Sequence, residues 1–255
     1  MLRFPNAKIN LGLHITRKRE DGFHALETVF YPVSTMRDAL EIVPAGDEGG
    51  DLIISGLPVG GDPYSNLVWR AYTALRERHP EKVPALDIYL HKAIPMGAGL
   101  GGGSADAAVA LQMINDHCEI GLDGPALEAL ALELGSDCPF FIRNTPQFAT
   151  GRGEMMEPLA IDLSAYRIEV VCPEVHVSTR AAFSRVMPKP AAFDLRTLPD
   201  VPVSEWKEVL RNDFEESVFT QFPEIGAIKE RLYAEGAVYA SMSGSGSAVY
   251  GVFKK

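Results

Sequence analysis

From Ala7 to Ile15 the chain alternates without a break. Ala7, Ile9, Leu11, Leu13 and Ile15 fall on one side, and Lys8, Asn10, Gly12 and His14 on the other. A period of two is that of a strand, and the pattern predicts one with a single buried face. Asp21-Gly22 signals a turn, and His24 to Val33 predicts a second strand. Ala39–Pro44 and Leu52–Ser55 continue this β-rich opening. From about Tyr64 to His79 the period lengthens to that of a helix, whose apolar stripe is Leu67, Val68, Ala71 and Leu75. A strand over Leu86–His91, a glycine-rich loop and a helix over Ser104–Cys118 follow. A further helix over Pro125–Leu134 stops at Gly135, a residue suited to a helix end.

Around Thr145–Pro158 the periodicity gives way to polar, glycine and proline residues. This break predicts a domain boundary, dividing the chain into residues 1–152 and 153–255. Beyond it, Arg167–Cys172 predicts a strand, and the proline-rich stretch Met187–Pro202 an irregular excursion over the surface. Ile225, Ile228 and Leu232 give a helix over Phe222–Glu235 its apolar face. Two last strands, Ala237–Met242 and Ala248–Phe253, flank Ser243-Gly244-Ser245-Gly246-Ser247. This mixture of strands and helices fits an α+β content and does not by itself supply a topology.

Composition narrows the function classes. The chain has 255 residues, long enough for one large or two modest domains, and 46% apolar content, ordinary for a globular protein. No uninterrupted apolar run reaches the roughly eighteen residues of a membrane span. Met1-Leu2-Arg3-Phe4-Pro5-Asn6 lacks the basic-then-apolar pattern of a leader, so a cytoplasmic location is expected, with no membrane partner. Three scattered cysteines make neither a disulfide framework nor a zinc site. A net charge of −10 argues against a nucleic-acid surface, yet a local cluster of amides and lysines can still hold a small anion. Nothing in the sequence separates a monomer from a homodimer.

The strongest local signal is Pro95-Met96-Gly97-Ala98-Gly99-Leu100-Gly101-Gly102-Gly103-Ser104, in which five of the seven residues from 97 to 103 are glycine. Such a run is costly in backbone entropy, and its use is close approach: amides without neighbouring Cβ atoms can wrap a phosphate chain. The following helix adds unpaired N–H groups and the positive end of its dipole. Gly97, Gly99 and Gly102 formally match a dinucleotide-binding pattern, but Lys92–Met96 separates them from the preceding strand, where that fold has no such insert. There is no Gly-Lys-Ser/Thr, so the loop is not a Walker A loop. Ser104 offers a hydroxyl to a phosphate or Mg²⁺, or serves as a plain helix cap.

This segment resembles the second motif of the GHMP kinases. Asn6-Ala7-Lys8-Ile9-Asn10-Leu11 resembles their first motif, and Ser241-Met242-Ser243-Gly244-Ser245-Gly246 their third, in the same order and spanning nearly the whole chain. The resemblance implies a two-domain GHMP kinase fold, with a ribosomal-protein-S5-like amino-terminal half and a ferredoxin-like carboxy-terminal half. It also implies an ATP- and Mg²⁺-dependent kinase acting on a small-molecule hydroxyl. Asp21-Gly22-Phe23-His24, with Leu26, Thr28 and Phe30, resembles the hairpin by which some members hold cytosine. The acceptor implied is a cytidine-diphosphate-linked polyol of isoprenoid precursor synthesis. Phe23 stands where many members have tyrosine, and Asp106 where many have asparagine.

Site residues follow from the same resemblance. Asp137, in Gly135-Ser136-Asp137-Cys138-Pro139, matches the family's catalytic aspartate, and Lys8 would lie near it and stabilise charge on the transferred phosphate; taken alone they read as a turn cap and a strand lysine. Asn66 and Lys92 would meet the adenosine of ATP, and residues 95–104 its phosphates. Asn10, Phe23, His24, Gly244 and Ser245 would contact the acceptor, and His176 would form a second wall around its base. Ser104 is the named candidate for Mg²⁺. Competing readings are a GHMP kinase for homoserine, mevalonate or a sugar, and a nucleotide-binding regulator without turnover. The first is weakened because those acceptors carry no base, the second because a dead site needs neither Lys8 nor Asp137.

Overall fold

The computed structural model describes residues 1–46 and 49–255. Its strands are β1 (Leu2–Arg3), β2 (Asn6–Lys18), β3 (His24–Arg37), β4 (Ala39–Pro44), β5 (Leu52–Gly56), β6 (Leu86–Lys92), β7 (Gln147–Thr150), β8 (Met155–Pro158), β9 (Tyr166–Val171), β10 (Tyr239–Met242) and β11 (Val249–Lys254). Its helices are α1 (Leu67–Arg78), α2 (Gly102–His117), α3 (Gly124–Leu134), α4 (Cys138–Arg143), α5 (Thr179–Arg185), α6 (Trp206–Val209), α7 (Glu215–Gln221) and α8 (Pro223–Ala234). Helices packed on mainly antiparallel sheets make this an α+β protein. Among the described residues no helix is long and apolar enough to cross a membrane.

Residues 1–7, 36–96 and 101–144 form one compact unit. Its sheet runs β1-β4-β6-β5, antiparallel except for the parallel β5–β6 pair. The connection between those two strands contains α1, as a parallel pair requires. Leu40, Ile42, Leu86, Ile88 and Leu90 share a core with Val68, Tyr72 and Leu75 of α1 and Ala107, Leu111 and Ile114 of α2. Alanines at 105, 107, 108 and 110, all fully buried, let α2 lie close to its neighbours.

Residues 8–35, 97–100 and 145–255 form the second unit. It holds the sheets β2-β3-β7-β8 and β10-β11-β9, with α8 packed on β10 and β11. Ile225 and Leu232 of α8 meet Ala240, Met242, Val249 and Phe253 in its core.

Four expectations need correction. First, β2 is buried on both faces: Lys8, Asn10 and His14 are as hidden as Ile9 and Leu11. Second, the stretch Thr145–Pro158, where the sequence periodicity gives way, holds regular structure. It contains the hairpin β7–β8, which turns through Gly151 and Gly153 at positive φ, and β7 pairs with β3. Third, the proline-rich stretch does not merely cross the surface, because Leu195 and Leu198 are fully buried. Leu195 Cδ2 lies 2.7 Å from where a Cβ on Gly12 would stand, and Gly12 itself has φ +72°, so glycine is required there twice over. Fourth, α2 starts at Gly102, which places Ser104 inside the helix and not at its cap.

Candidate functional site

In the first unit, the glycine-rich loop enters α2 through Gly101, which is left-handed at φ 71° and offers no side-chain cap. The first helical bond is Ala105 N–H to Gly101 O, so the amides of Gly102, Gly103 and Ser104 have no acceptor within the helix. Gly102 has no room for a side chain, since a Cβ would stand 2.9 Å from Ile94 Cγ2 and 3.3 Å from Lys92 Nζ. The Ser104 hydroxyl bonds the Cys138 thiol, which burial pushes up to about 11. That thiol is therefore an un-ionised core group.

Beside this helix start lies a cavity of about 260 Å³, lined by Ile54, Val59, Asn66 and Leu67 on one side and Lys92, Met96, Gly103 and Asp106 on the other. Mixed apolar walls with a few polar groups suit a nucleoside. Asn66 is placed by capping α1, its Oδ1 accepting from Val68 N–H at 2.9 Å. Lys92 lines the same cavity but is almost wholly buried, paired with Asp38 and, at 2.7 Å, with Asp106 Oδ2. Asp38 Oδ1 accepts from the amides of Ala93 and Ile94 at 2.6 and 2.8 Å. Burial pushes the Asp106 carboxyl up to about 7, with Lys92 opposing the shift and Asp38 adding to it. Its Oδ1 has no hydrogen-bond partner among the described residues.

Asp137 stands immediately before α4, at its N-cap position, and its half-buried side chain makes no capping hydrogen bond to the helix. Among the described residues no three His, Cys, Asp or Glu side chains form a metal-binding group.

In the second unit, Lys8 Nζ donates to Asn10 Oδ1 at 2.7 Å and lies 5.0 Å from the centre of the Phe30 ring. Asn10 Nδ2 donates to Thr28 Oγ1 at 2.9 Å, and Thr28 passes the chain on to Gly12 O at 2.6 Å. Lys8 N–H bonds Leu100 O at 2.9 Å. The loop after β10 closes against the same place: Ser243 Oγ donates to Gly99 O at 2.8 Å and reaches Asn10 Oδ1 at 3.4 Å. A Cβ on Gly99 would stand 2.0 Å from Ser243 O, and one on Gly244 3.2 Å from Gly99 Cα. Two glycine-rich loops thus meet backbone to backbone beside Lys8 and Asn10.

The hairpin tip presents Phe23, 57% exposed, with the Arg152 guanidinium over its ring at 5.3 Å. His24 stacks on Phe183 of α5 with ring centres 5.2 Å apart and planes at 22°. Phe183 is braced edge-on by Phe214 at 4.8 Å. His176 is placed at Gly97, its Cε1 3.3 Å from where a Cβ would stand, and the ring stacked on His24 is that of Phe183. Ser245 pairs with Thr179 at 3.2 Å.

Sequence reasoning missed Asp38, Phe183 and Asn212. Each is a lone residue outside any periodic run, brought into place only by tertiary contacts; the sole hint was an acidic residue between two strand patterns at Asp38.

Comparison with known proteins shows the family. Residues 66–145 match the family described as GHMP kinases N terminal domain, and residues 203–255 match GHMP kinases C terminal. The 4-diphosphocytidyl-2-C-methyl-D-erythritol kinase of Bacteroides thetaiotaomicron is 52% identical over all of this chain and 92% of its own length. The kinase of the same name from Parabacteroides distasonis is 51% identical with the same coverage. A crystal structure of 4-(cytidine 5'-diphospho)-2C-methyl-D-erythritol kinase superposes with a TM-score of 0.84, at 34% identity over 99% of this chain and 90% of that one.

Proposed function

The chain belongs to the GHMP kinases, and from that premise we infer that it transfers the γ-phosphate of ATP to the 2-hydroxyl of 4-diphosphocytidyl-2-C-methyl-D-erythritol, a step of isoprenoid precursor synthesis. One observation carries this reading: relatives about half identical along the entire chain are named for that reaction. The aromatic end of β3 supports it, because the exposed Phe23 and the stacked His24–Phe183 pair suit a flat base. Homoserine, mevalonate and galactose carry no such base.

Phosphoryl transfer needs positioning and charge stabilisation more than covalent chemistry. The cavity lined by Asn66 and Lys92 would take the adenosine, and the amides of Gly102–Ser104 with the dipole of α2 would hold the phosphates. Magnesium would arrive as the ATP complex, with the Ser104 hydroxyl its named protein contact. Asp137 would accept the proton of the 2-hydroxyl as that oxygen bonds the γ-phosphorus. The bond from that phosphorus to the β,γ-bridging oxygen breaks, and ADP leaves. Lys8, held by Asn10 and Phe30, would offset the charge on the transferred group. Asn10, Gly244 and Ser245 would line the acceptor's path, and His176 the edge of the glycine loop at Gly97. Residues 1–152 would supply the ATP-binding half and 153–255 the remainder, in a cytoplasmic enzyme.

Phosphorus-31 spectra of the reaction test this directly. One ADP and one new phosphomonoester should appear per acceptor, with the acceptor's diphosphate intact. Release of a cytidine monophosphate fragment would refute the reaction type.

A further inference from the structure

Asn212 lies between two pieces of the site, in a segment to which no pattern in the sequence assigned a role. Its carboxamide is 4% exposed, and three of its four hydrogen-bonding positions are used. Nδ2 donates to Met242 O at 2.8 Å and to Gly244 O at 2.9 Å, and Oδ1 accepts from Phe214 N–H at 3.0 Å. The backbone around it is fastened to β2: Leu13 N–H bonds Arg211 O at 2.8 Å, and Asp213 N–H bonds Leu13 O at 2.9 Å. Glu215 holds the end of β10, accepting from Met242 N–H at 2.8 Å and Ser241 Oγ at 2.9 Å.

We propose that Asn212 is a positioning residue for the acceptor, setting the loop 243–245 relative to the strand that carries Lys8 and Asn10. The proposal rests on the reading above that this loop contacts the acceptor. The chemistry asks for asparagine. Two carbonyls from one loop need two donors on one short planar group, while the Phe214 amide needs an acceptor on that same group. Aspartate has the shape but would set a carboxylate against two carbonyl oxygens, and glutamine adds a methylene with no space for it in a buried position. The carbonyls Asn212 holds flank Ser243, whose hydroxyl bonds Gly99 O, so losing the clamp frees the loop at the point where it meets the glycine-rich loop. Through Phe214 the same segment also braces Phe183 under His24.

The test is steady-state kinetics of Asn212→Asp in the full chain, with Leu232→Ala as a control that loosens the same core away from the site. For Asn212→Asp the expected result is a rise of tenfold or more in acceptor KM, with ATP KM within threefold of wild type. For Leu232→Ala both KM values should stay within threefold despite a lower melting temperature. Asn212→Ser, which keeps one donor, should fall between wild type and Asn212→Asp. Equal acceptor KM in Asn212→Asp and Leu232→Ala, or a matching rise in ATP KM, would overturn the proposal. Failure of both Asn212 variants to fold would assign the residue to stability alone and overturn it as well. A wild type silent on the cytidine acceptor would instead sink the functional reading, and the same variants would then be compared on whichever acceptor turns over.

Discussion

Lys92 and Asp106 form an ion pair at 2.7 Å in which both side chains are all but excluded from solvent, and the buried Asp38 pairs with the same ammonium. Two buried carboxylates share one cation, so the lysine is needed to keep them close. Lys92→Met leaves that pair uncompensated and should cost about 3–5 kcal/mol of stability. Urea unfolding measures it; a loss below about 1 kcal/mol would mean the cluster does not hold this region.

The same cluster sets a pH dependence. Asp106 has its carboxyl raised from 3.8 to about 7 in the folded protein, chiefly by burial. The native state therefore binds more protons than the unfolded chain between those values, and stability falls as pH rises from about 4 to 7. Asp106→Asn removes the titration, so its stability relative to wild type should climb over that window and level off above it. The shift sets an upper bound of roughly 4 kcal/mol on the gain. A flat difference across the window would contradict the assignment.

Two glycines of one loop separate architecture from ligand contact. Gly99→Ala would drive a Cβ to 2.0 Å from Ser243 O at φ +79°, and should fail to fold or lose several kcal/mol. Gly103→Ala meets only Met96 Cε at 3.6 Å and sits in the first turn of α2, where alanine is favoured. It should keep or raise the melting temperature while raising ATP KM, because the added methyl crowds the cavity. Unchanged ATP KM would place the nucleotide elsewhere.

Much of this was legible in the sequence, for a physical reason. Long periodic segments such as β2, β6, α1 and α8 announce themselves because each spans several periods. Four-residue strands such as β7 and β8 and seven-residue helices such as α5 and α7 span no more than two periods, too few for a pattern to stand out, and the hairpin at 147–158 therefore reads as a break. Alternation along β2 showed two faces but could not show that Lys8, Asn10 and His14 would be covered by the protein's own chain. The glycine-rich loop was legible from composition alone. Asp38, Phe183 and Asn212 were not, since each acquires its place only through partners distant along the chain.

The aromatic end of β3 should set acceptor affinity. Phe23→Ala removes an exposed ring that packs only against Arg152 among its described ring contacts, so the fold should keep its stability. Acceptor KM should rise roughly tenfold or more, in line with about 1–3 kcal/mol for a base–aromatic stack. Titration calorimetry with the acceptor checks this independently of turnover. Unaltered acceptor affinity would remove Phe23 from the base site.

Asp137→Asn, which nearly preserves the side chain's volume, should lower kcat by at least a hundredfold. Lys8→Ala should lower kcat more than tenfold, leaving the Asn10–Thr28 link in place. Turnover within threefold of wild type in either variant would remove that residue from the mechanism.

The most direct measurement is ADP release by the purified protein with ATP and Mg²⁺, comparing 4-diphosphocytidyl-2-C-methyl-D-erythritol with homoserine, mevalonate and galactose at equal concentration. Turnover confined to the cytidine compound is the expected result. Turnover with one of the other three and none with the cytidine compound would contradict it, keeping the kinase and discarding the base site at Phe23, His24 and Phe183.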